Sequence, residues 1–235
     1  MGKIVINAVL PTETKMFCGC AIAYDAEGYR LEDGESCPVC RKEEGTFPIL
    51  NKTVVEKAMA VILALHGTIN QYTLFDRVKS ESGCYDILSQ YSYPMGKDGY
   101  IEWKPLETKE ENGTEGEASE PDRIPILTMR LKESEEEAGI PILEITSGKI
   151  EEEMLNLIYI EEVEKILLAL GLEEWEIIET DELIESMEAK NPISYLPDPD
   201  LPPVIISQWW IDQIAAKYPD LIQIEEPEIE DEDDF

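Results

Sequence analysis

Four cysteines and the turns between them decide the fold of the N-terminal region, where Cys18-Gly19-Cys20 is followed by Cys37-Pro38-Val39-Cys40. Four thiolates satisfy a tetrahedral zinc ion, and the intervening glycine and proline allow the tight turns that aim them. The spacing predicts a zinc knuckle over residues 17–48, with zinc in a structural role because no coordination position stays open. Four ordinary thiols in an acidic loop are the simpler alternative. A redox role for the second pair lacks the helix N-terminus that would activate a thiol.

Short apolar segments outside the knuckle predict strands. Residues 3–10 alternate around β-branched residues, and residues 69–104 mix aromatic, β-branched and turn residues. Residues 124–131 and 141–146 are short apolar runs that each begin near a proline. Strands of this kind, interleaved with helices, indicate an α+β fold.

Four segments have the apolar spacing of helices. The first begins after Asn51, which we expect to cap it, and ends at Gly67. The others are predicted over 149–170, with Gly171 ending the helix, over 180–189, and from the capping residue Ser207 to about Lys217.

The chain is strongly acidic, with 235 residues, 19 Lys+Arg, 52 Asp+Glu and a formal net charge of -33. This charge argues against a protein that binds phosphate backbones or anionic membrane surfaces. Residues 105–122 predict an acidic loop, and residues 224–235, of which eight are acidic, predict a disordered tail after one domain over 1–223. No run of about 18 apolar residues spans a membrane and no signal peptide is visible, so we expect a cytoplasmic protein with reduced cysteines.

Several motifs in the same order resemble the N-terminal cradle domain of the tRNA-dependent amidotransferase B subunit, the GatB/GatE family. A shared order is far more specific than any one motif. The motifs are Lys15-Met16-Phe17-Cys18-Gly19-Cys20, Cys37-Pro38-Val39-Cys40, Phe47-Pro48-Ile49-Leu50-Asn51-Lys52, Phe75-Asp76-Arg77, Ser89-Gln90-Tyr91, Asp98-Gly99-Tyr100-Ile101-Glu102, Ala138-Gly139-Ile140-Pro141-Ile142-Leu143-Glu144-Ile145 and Pro197-Asp198-Pro199-Asp200-Leu201-Pro202-Pro203.

The resemblance implies a cradle built around a central, mostly antiparallel sheet with flanking helices. It implies an enzyme that uses ATP and Mg²⁺ to phosphorylate the side-chain carboxylate of Glu or Asp misacylated on tRNA, with ammonia supplied by an amidase subunit. It also implies zinc at the four cysteines in some members, in agreement with the spacing.

Four residues are candidates for catalysis if the chemistry is retained: Glu144, Glu136, Asp76 and Arg77. Glu136 and Glu144 are also the candidate Mg²⁺ ligands, and Arg77 is suited to orient a phosphate or carboxylate. Glu144 lies in an apolar strand, and we expect it to point to solvent because charged side chains are seldom buried unpaired. The alternative is that it lines a cleft and binds Mg²⁺.

The departures from the family pattern concern the first strand most. The family's Glu-Val-His motif places a Glu and a His at the metal site, and this chain has Val5 and Asn7 there. Valine cannot ligate a metal, and an asparagine is a weaker donor. The His of the family's later acidic motif is missing before Glu135-Glu136-Glu137, and an acidic tail stands where tRNA-gripping domains would begin.

Three functions follow as hypotheses. The favoured one is a divergent cradle that has lost its kinase and transamidation chemistry and binds a protein partner, with direct tRNA binding not expected. The second is an active ATP- and Mg²⁺-dependent, carbon–nitrogen bond-forming enzyme that phosphorylates a carboxylate on Glu/Asp-tRNA or on another substrate. The third is an acidic decoy that inhibits a nucleic-acid-binding protein through a basic surface.

Overall fold

The computed structural model describes residues 2–22, 37–41, 43–44, 46, 48–75, 77–79, 85–87, 90, 92–103, 122–150, 153–180 and 203–222. The predicted tail lies outside these residues. The predicted acidic loop does too, except for its last residue. Within the described part of the chain, no helix is long and apolar enough to cross a membrane.

The described residues contain ten strands and three helices. This is the α+β fold that the sequence predicts. The strands are β1 (Lys3–Val9), β2 (Thr68–Ile69), β3 (Tyr72–Thr73), β4 (Arg77–Lys79), β5 (Tyr85–Ile87), β6 (Gly96–Trp103), β7 (Asp122–Glu133), β8 (Pro141–Ser147), β9 (Trp175–Thr180) and β10 (Val204–Ile205). The helices are α1 (Lys52–Ala64), α2 (Glu153–Ala169) and α3 (Gln208–Ala215).

The central sheet has six strands in the order β2-β6-β7-β8-β1-β9, and each pairing in it is antiparallel. Two small two-stranded sheets, β10-β3 and β4-β5, accompany it. The antiparallel arrangement agrees with the expectation from the family resemblance.

The two faces of the central sheet differ, because neighbouring residues of a strand point to opposite sides. On one face, Ile4, Ile6 and Ala8 of β1 are buried in a single hydrophobic core with residues of α1 and α2. On the other face β1 carries Val5, Asn7 and Val9, and the residues beside Asn7 on neighbouring strands are charged. Among the described residues, the helices therefore pack against one face of the sheet, and the charged residues lie on the other face.

Two of the four predicted helix caps, Gly171 and Ser207, are confirmed. Gly171 has a φ of 76° after α2, in the left-handed region that favours glycine. The Ser207 hydroxyl accepts from the Trp210 N–H at 3.3 Å at the start of α3. After α1 the left-handed residue is His66, with a φ of 54°, rather than Gly67. A Cβ on Gly67 would lie 2.9 Å from the Ile62 backbone oxygen, so close packing disfavours a larger residue at this position.

The chain after α2 differs from the sequence expectation. The predicted helix over 180–189 cannot begin at Thr180, because that residue ends β9, and the rest of the segment lies outside the described residues. The sequence Trp175–Thr180 contains two adjacent isoleucines, and Ile177 and Ile178 are both partly exposed. A strand at the edge of a sheet, exposed on both faces, lacks the alternation that identifies a half-buried strand.

Candidate metal centre and the polar row of the sheet

The four predicted cysteines come together. Their sulfur atoms all lie within 4.8 Å of one another, and this is the only such group of three or more Cys, His, Asp or Glu ligands among the described residues. The Cys40 sulfur is 3.4 Å from Cys18, 3.7 Å from Cys20 and 3.8 Å from Cys37. Zinc–sulfur bonds of about 2.3 Å in a tetrahedron place the sulfurs about 3.8 Å apart. The spacing of the four thiols is therefore compatible with a structural zinc ion.

The four thiols differ in how readily they ionise. Burial raises the pKa of Cys18 and of Cys40 above the ordinary value. A hydrogen bond with the Cys40 backbone N–H is the largest cause that lowers the pKa of Cys37, to about 7. Metals bind the thiolate rather than the thiol. In the metal-free chain, Cys37 is therefore the most readily ionised of these three ligands.

Two polar side chains hold the knuckle against the body of the protein. Asn51 occupies the N-cap position of α1 as predicted, but its side chain makes no capping hydrogen bond. Its amide donates instead to the Cys18 carbonyl at 2.7 Å and to the Lys15 carbonyl. The Lys15 side chain is buried, and its Nζ lies 3.8 Å from the Cys40 sulfur. Asn51 thus positions the first cysteine pair, and Lys15 supplies a positive charge beside the thiolates.

Lys15 also connects the knuckle to the turn before β8. Gly139 in this turn has a φ of 90°, and a Cβ on it would meet the Lys15 side-chain carbons at 2.6 to 3.0 Å. The Met16 N–H donates to the Gly139 carbonyl at 2.8 Å. The acidic residues that precede Gly139 are therefore attached to the metal centre through Lys15 and Met16.

A second cluster crosses four strands of the sheet. Strand pairing aligns Arg130 with Glu144, Glu144 with Asn7, and Asn7 with Glu176. Residues paired in this way lie on one face of a sheet, with neighbours close enough to interact. We call these four residues the polar row.

Glu144 lies between two cations of β7. Its two carboxylate oxygens are 3.3 Å from an Arg130 guanidinium nitrogen and 3.2 Å from Lys132 Nζ. The side chain of Glu144 is 13% exposed, so the prediction that it points to solvent is wrong. Glu144 is partly buried, and its two partners come from the neighbouring strand β7.

Arg130 and Lys132 are site residues that the sequence reasoning missed, although a signal for them exists. They alternate with the buried Met129 and Leu131, which places them on the opposite face of β7. Pairing β7 with β8 as a hairpin would have brought them beside Glu144.

The remaining predicted site residues fall in different places. Glu136 is exposed and lines a cleft of about 630 Å³ that also includes Asn7, Lys132 and Glu176. Asp76 lies outside the described residues, and Arg77 is described only as the first residue of β4. Within the described part of the chain, Glu136 and Glu144 form no group with a third Asp, Glu, His or Cys ligand. Their shared binding of Mg²⁺ stays a prediction.

The fold and the site together define a class of α+β domain. Its antiparallel sheet carries a four-cysteine cluster that could hold a metal ion at one end of its first strand, and a charged row across its second face. The model of the GatB/GatE catalytic domain matches residues 4–180. The chain belongs to the GatB/GatE family.

Curated relatives of the chain are named as the B subunit of aspartyl/glutamyl-tRNA(Asn/Gln) amidotransferase. The protein of Agathobacter rectalis is 25% identical over 294 residues, which cover 92% of this chain and 60% of the relative. That of Caldanaerobacter subterraneus is 36% identical over 149 residues, 62% of this chain and 27% of the relative. That of Carboxydothermus hydrogenoformans is 24% identical over 307 residues, with 92% and 60% covered. The chain thus spans at most about 60% of the length of these relatives.

Proposed function

We propose that this chain is a divergent GatB-type cradle that keeps the fold and the zinc knuckle, has lost the ATP-dependent chemistry, and acts as a zinc-stabilised protein-binding domain. Zinc knuckles need reduced thiols, so we also propose that it works in the cytoplasm. The relatives are named as subunits of an amidotransferase, which supports a protein partner for this chain. Its net charge of -33 argues against direct binding of tRNA.

The side chains at and beside the polar row are the main support for the proposal. The family resemblance implies a Glu and a His at the positions of Val5 and Asn7, where this chain offers no charged or imidazole ligand. Glu144, the acid that remains, has Arg130 and Lys132 against its two oxygens. A divalent cation at Glu144 would have to displace these cations or lie beside them, and like charges at such distances repel. The described residues of the row therefore do not fit Mg²⁺.

The unbalanced acids near the row also disfavour a nucleotide. Among the described residues that line the cleft, Lys132 is the one cation, and it is 3.2 Å from Glu144. The acids that line the cleft beside Asn7 are Glu135, Glu136, Glu137, Glu174 and Glu176. Phosphoryl transfer depends on metal ions and cationic groups that neutralise the phosphate oxygens. A cleft with this excess of carboxylates repels a triphosphate instead.

Isothermal titration of Mg²⁺-ATP into the zinc-loaded chain tests the proposal. We expect no saturable heat and no release of phosphate above the buffer rate. A second titration with Glu144→Gln identifies any signal that comes from this site.

Saturable binding of Mg²⁺-ATP, or ATP hydrolysis, that Glu144→Gln abolishes would overturn the proposal. It would favour the alternative, an active enzyme that phosphorylates a carboxylate. A chain purified from a zinc-containing medium without bound zinc would contradict the structural part of the proposal.

A further inference from the structure

The cleft beside the polar row contains a buried polar atom without a partner. Asn7 is 6% exposed, and no hydrogen-bond partner of its side-chain oxygen is found within the described residues. Its amide nitrogen is 3.5 Å from a Glu176 carboxylate oxygen. A buried oxygen that accepts no hydrogen bond destabilises a protein, because it has lost its contacts with water and gained none in return. A bound donor at this end of the cleft would satisfy it.

The charges around Asn7 indicate that the bound donor group is positively charged. Glu144 is balanced by Arg130 and Lys132, whereas Glu136 and Glu176 form no ion pair within the described part of the chain. Both of these acids line the cleft with Asn7. An amide oxygen and carboxylates are all acceptors, so the group that suits them is a cation with several N–H donors.

The shape of the cleft favours an organic cation over a metal ion. Within the described residues, the acids of the cleft form no group of three or more ligands close enough for one ion. The cleft also has apolar walls, which include Val9, Ile142 and Trp175. Apolar walls suit an alkyl stem, and an indole face suits a guanidinium group. The volume of about 630 Å³ is ample for one long side chain.

We propose that this cleft binds an arginine side chain of a protein partner, with the guanidinium group at Asn7 and Glu176 and the alkyl stem against the apolar wall. This inference names the partner chemistry of the proposed function and rests on it only in assuming that the partner is a protein. A guanidinium group presents five N–H donors in a rigid fork, which matches several separated acceptors better than a lysine ammonium does.

Calorimetric titration with two matched peptides tests the proposal at an ionic strength of about 0.15 M, where long-range attraction is screened. The first is acetyl-Ala-Arg-Ala-Arg-Ala-amide, and the second has citrulline, the neutral isostere, in place of each arginine. We expect the arginine peptide to bind about tenfold more tightly than the citrulline peptide, since each charged hydrogen bond is lost in the second. Equal binding of the two peptides would overturn the proposal.

Three variants separate the cleft from the overall negative charge. We expect Asn7→Val and Glu176→Gln each to weaken the arginine peptide by about fivefold or more. Glu179→Gln removes the same charge from the same strand, but Glu179 pairs with Ile4 and so faces the other side of the sheet. We expect it to change the affinity by less than about twofold. Similar losses in Glu176→Gln and Glu179→Gln would overturn the proposal.

The stability of Asn7→Val distinguishes binding from a structural role. Valine suits a strand and removes the unpartnered oxygen, so we expect a melting temperature that is unchanged or raised while arginine binding falls. A variant that loses both stability and binding would contradict the assignment.

Spermidine and Mg²⁺ serve as competitors, and displacement of the peptide by either one at equal concentration would overturn the choice of a protein side chain. Binding of Mg²⁺-ATP would refute the proposed function alone, whereas failure of the arginine peptide refutes only this inference.

Discussion

The knuckle begins ten residues after Asn7, the first residue of the polar row, yet the two regions compensate their negative charge in different ways. At the knuckle, four thiols converge with sulfur distances that suit one zinc ion. In the polar row, Glu144 already has two cations of the protein against it. The first region has a complete set of ligands for a metal, and the second satisfies its central acid with its own side chains.

The difference between the two regions follows from how each is assembled. Two short motifs with tight turns position the ligands of the knuckle, so the local sequence is nearly sufficient to define it. The row needs one residue from each of four strands, so one substitution changes the whole constellation. The contrast suggests that a metal-binding turn survives divergence more readily than a site spread across a sheet.

The largest expected effect comes from breaking the knuckle. Replacing one ligand, in Cys40→Ser, removes a thiolate within 3.8 Å of each other ligand. We expect loss of bound zinc and a decrease in the free energy of unfolding of more than about 3 kcal/mol, because metal binding contributes directly to folding. Zinc analysis and urea unfolding measure both quantities. Cys84→Ser, at the cysteine that the spacing leaves out of the set, is the control and keeps its zinc.

A smaller effect is expected from the polar row. Glu144→Gln removes the negative charge between Arg130 and Lys132, whose side chains are 21% and 16% exposed. We expect a loss of about 2 kcal/mol in the free energy of unfolding, because charges in partly buried positions become less well compensated. Urea unfolding gives the value.

The matched control for Glu144→Gln is a cross-strand ion pair at the surface. Arg123 and Glu102 lie 3.0 Å apart with side chains that are 55% and 39% exposed. Glu102→Gln should cost less than about 1 kcal/mol. Equal losses in the two variants would show that the balanced charges of the row have no special role in stability.

The smallest expected effect is at the residue that joins the two regions. In Lys15→Met the stem can still pack on Gly139, but the charge 3.8 Å from Cys40 is lost. We expect the zinc stoichiometry to be kept and the zinc affinity to fall by about tenfold, as for other groups that support metal ligands. Competition with a chromogenic chelator measures the affinity. Lys15→Arg should retain it, and a loss equal to that of Lys15→Met would exclude a role for the charge.

The sequence predicts the knuckle and most of the elements around it, because their signals are local. The spacing of Val54, Val55, Ala58, Val61 and Ile62 identifies α1, and all five side chains are buried as expected. The glycine after α2 and the serine before α3 mark helix ends that the structure confirms.

The polar row and β9 could not be predicted in the same way, because both depend on strand pairing. No local signal places Arg130 opposite Glu144, because 13 residues lie between them and only the pairing of β7 with β8 brings them together. Asn51 has the sequence signature of a cap, but the neighbouring knuckle offers its amide better acceptors. Tertiary contacts overrode the local preference in each case.

Native mass spectrometry of the chain, prepared with zinc and then mixed with excess Mg²⁺-ATP, tests the contrast between the two regions most directly. The account predicts one species, the chain with one zinc ion and no nucleotide. It also predicts that Cys40→Ser appears without zinc under the same conditions. A nucleotide adduct that Glu144→Gln removes, or a native chain that carries no zinc, would contradict it.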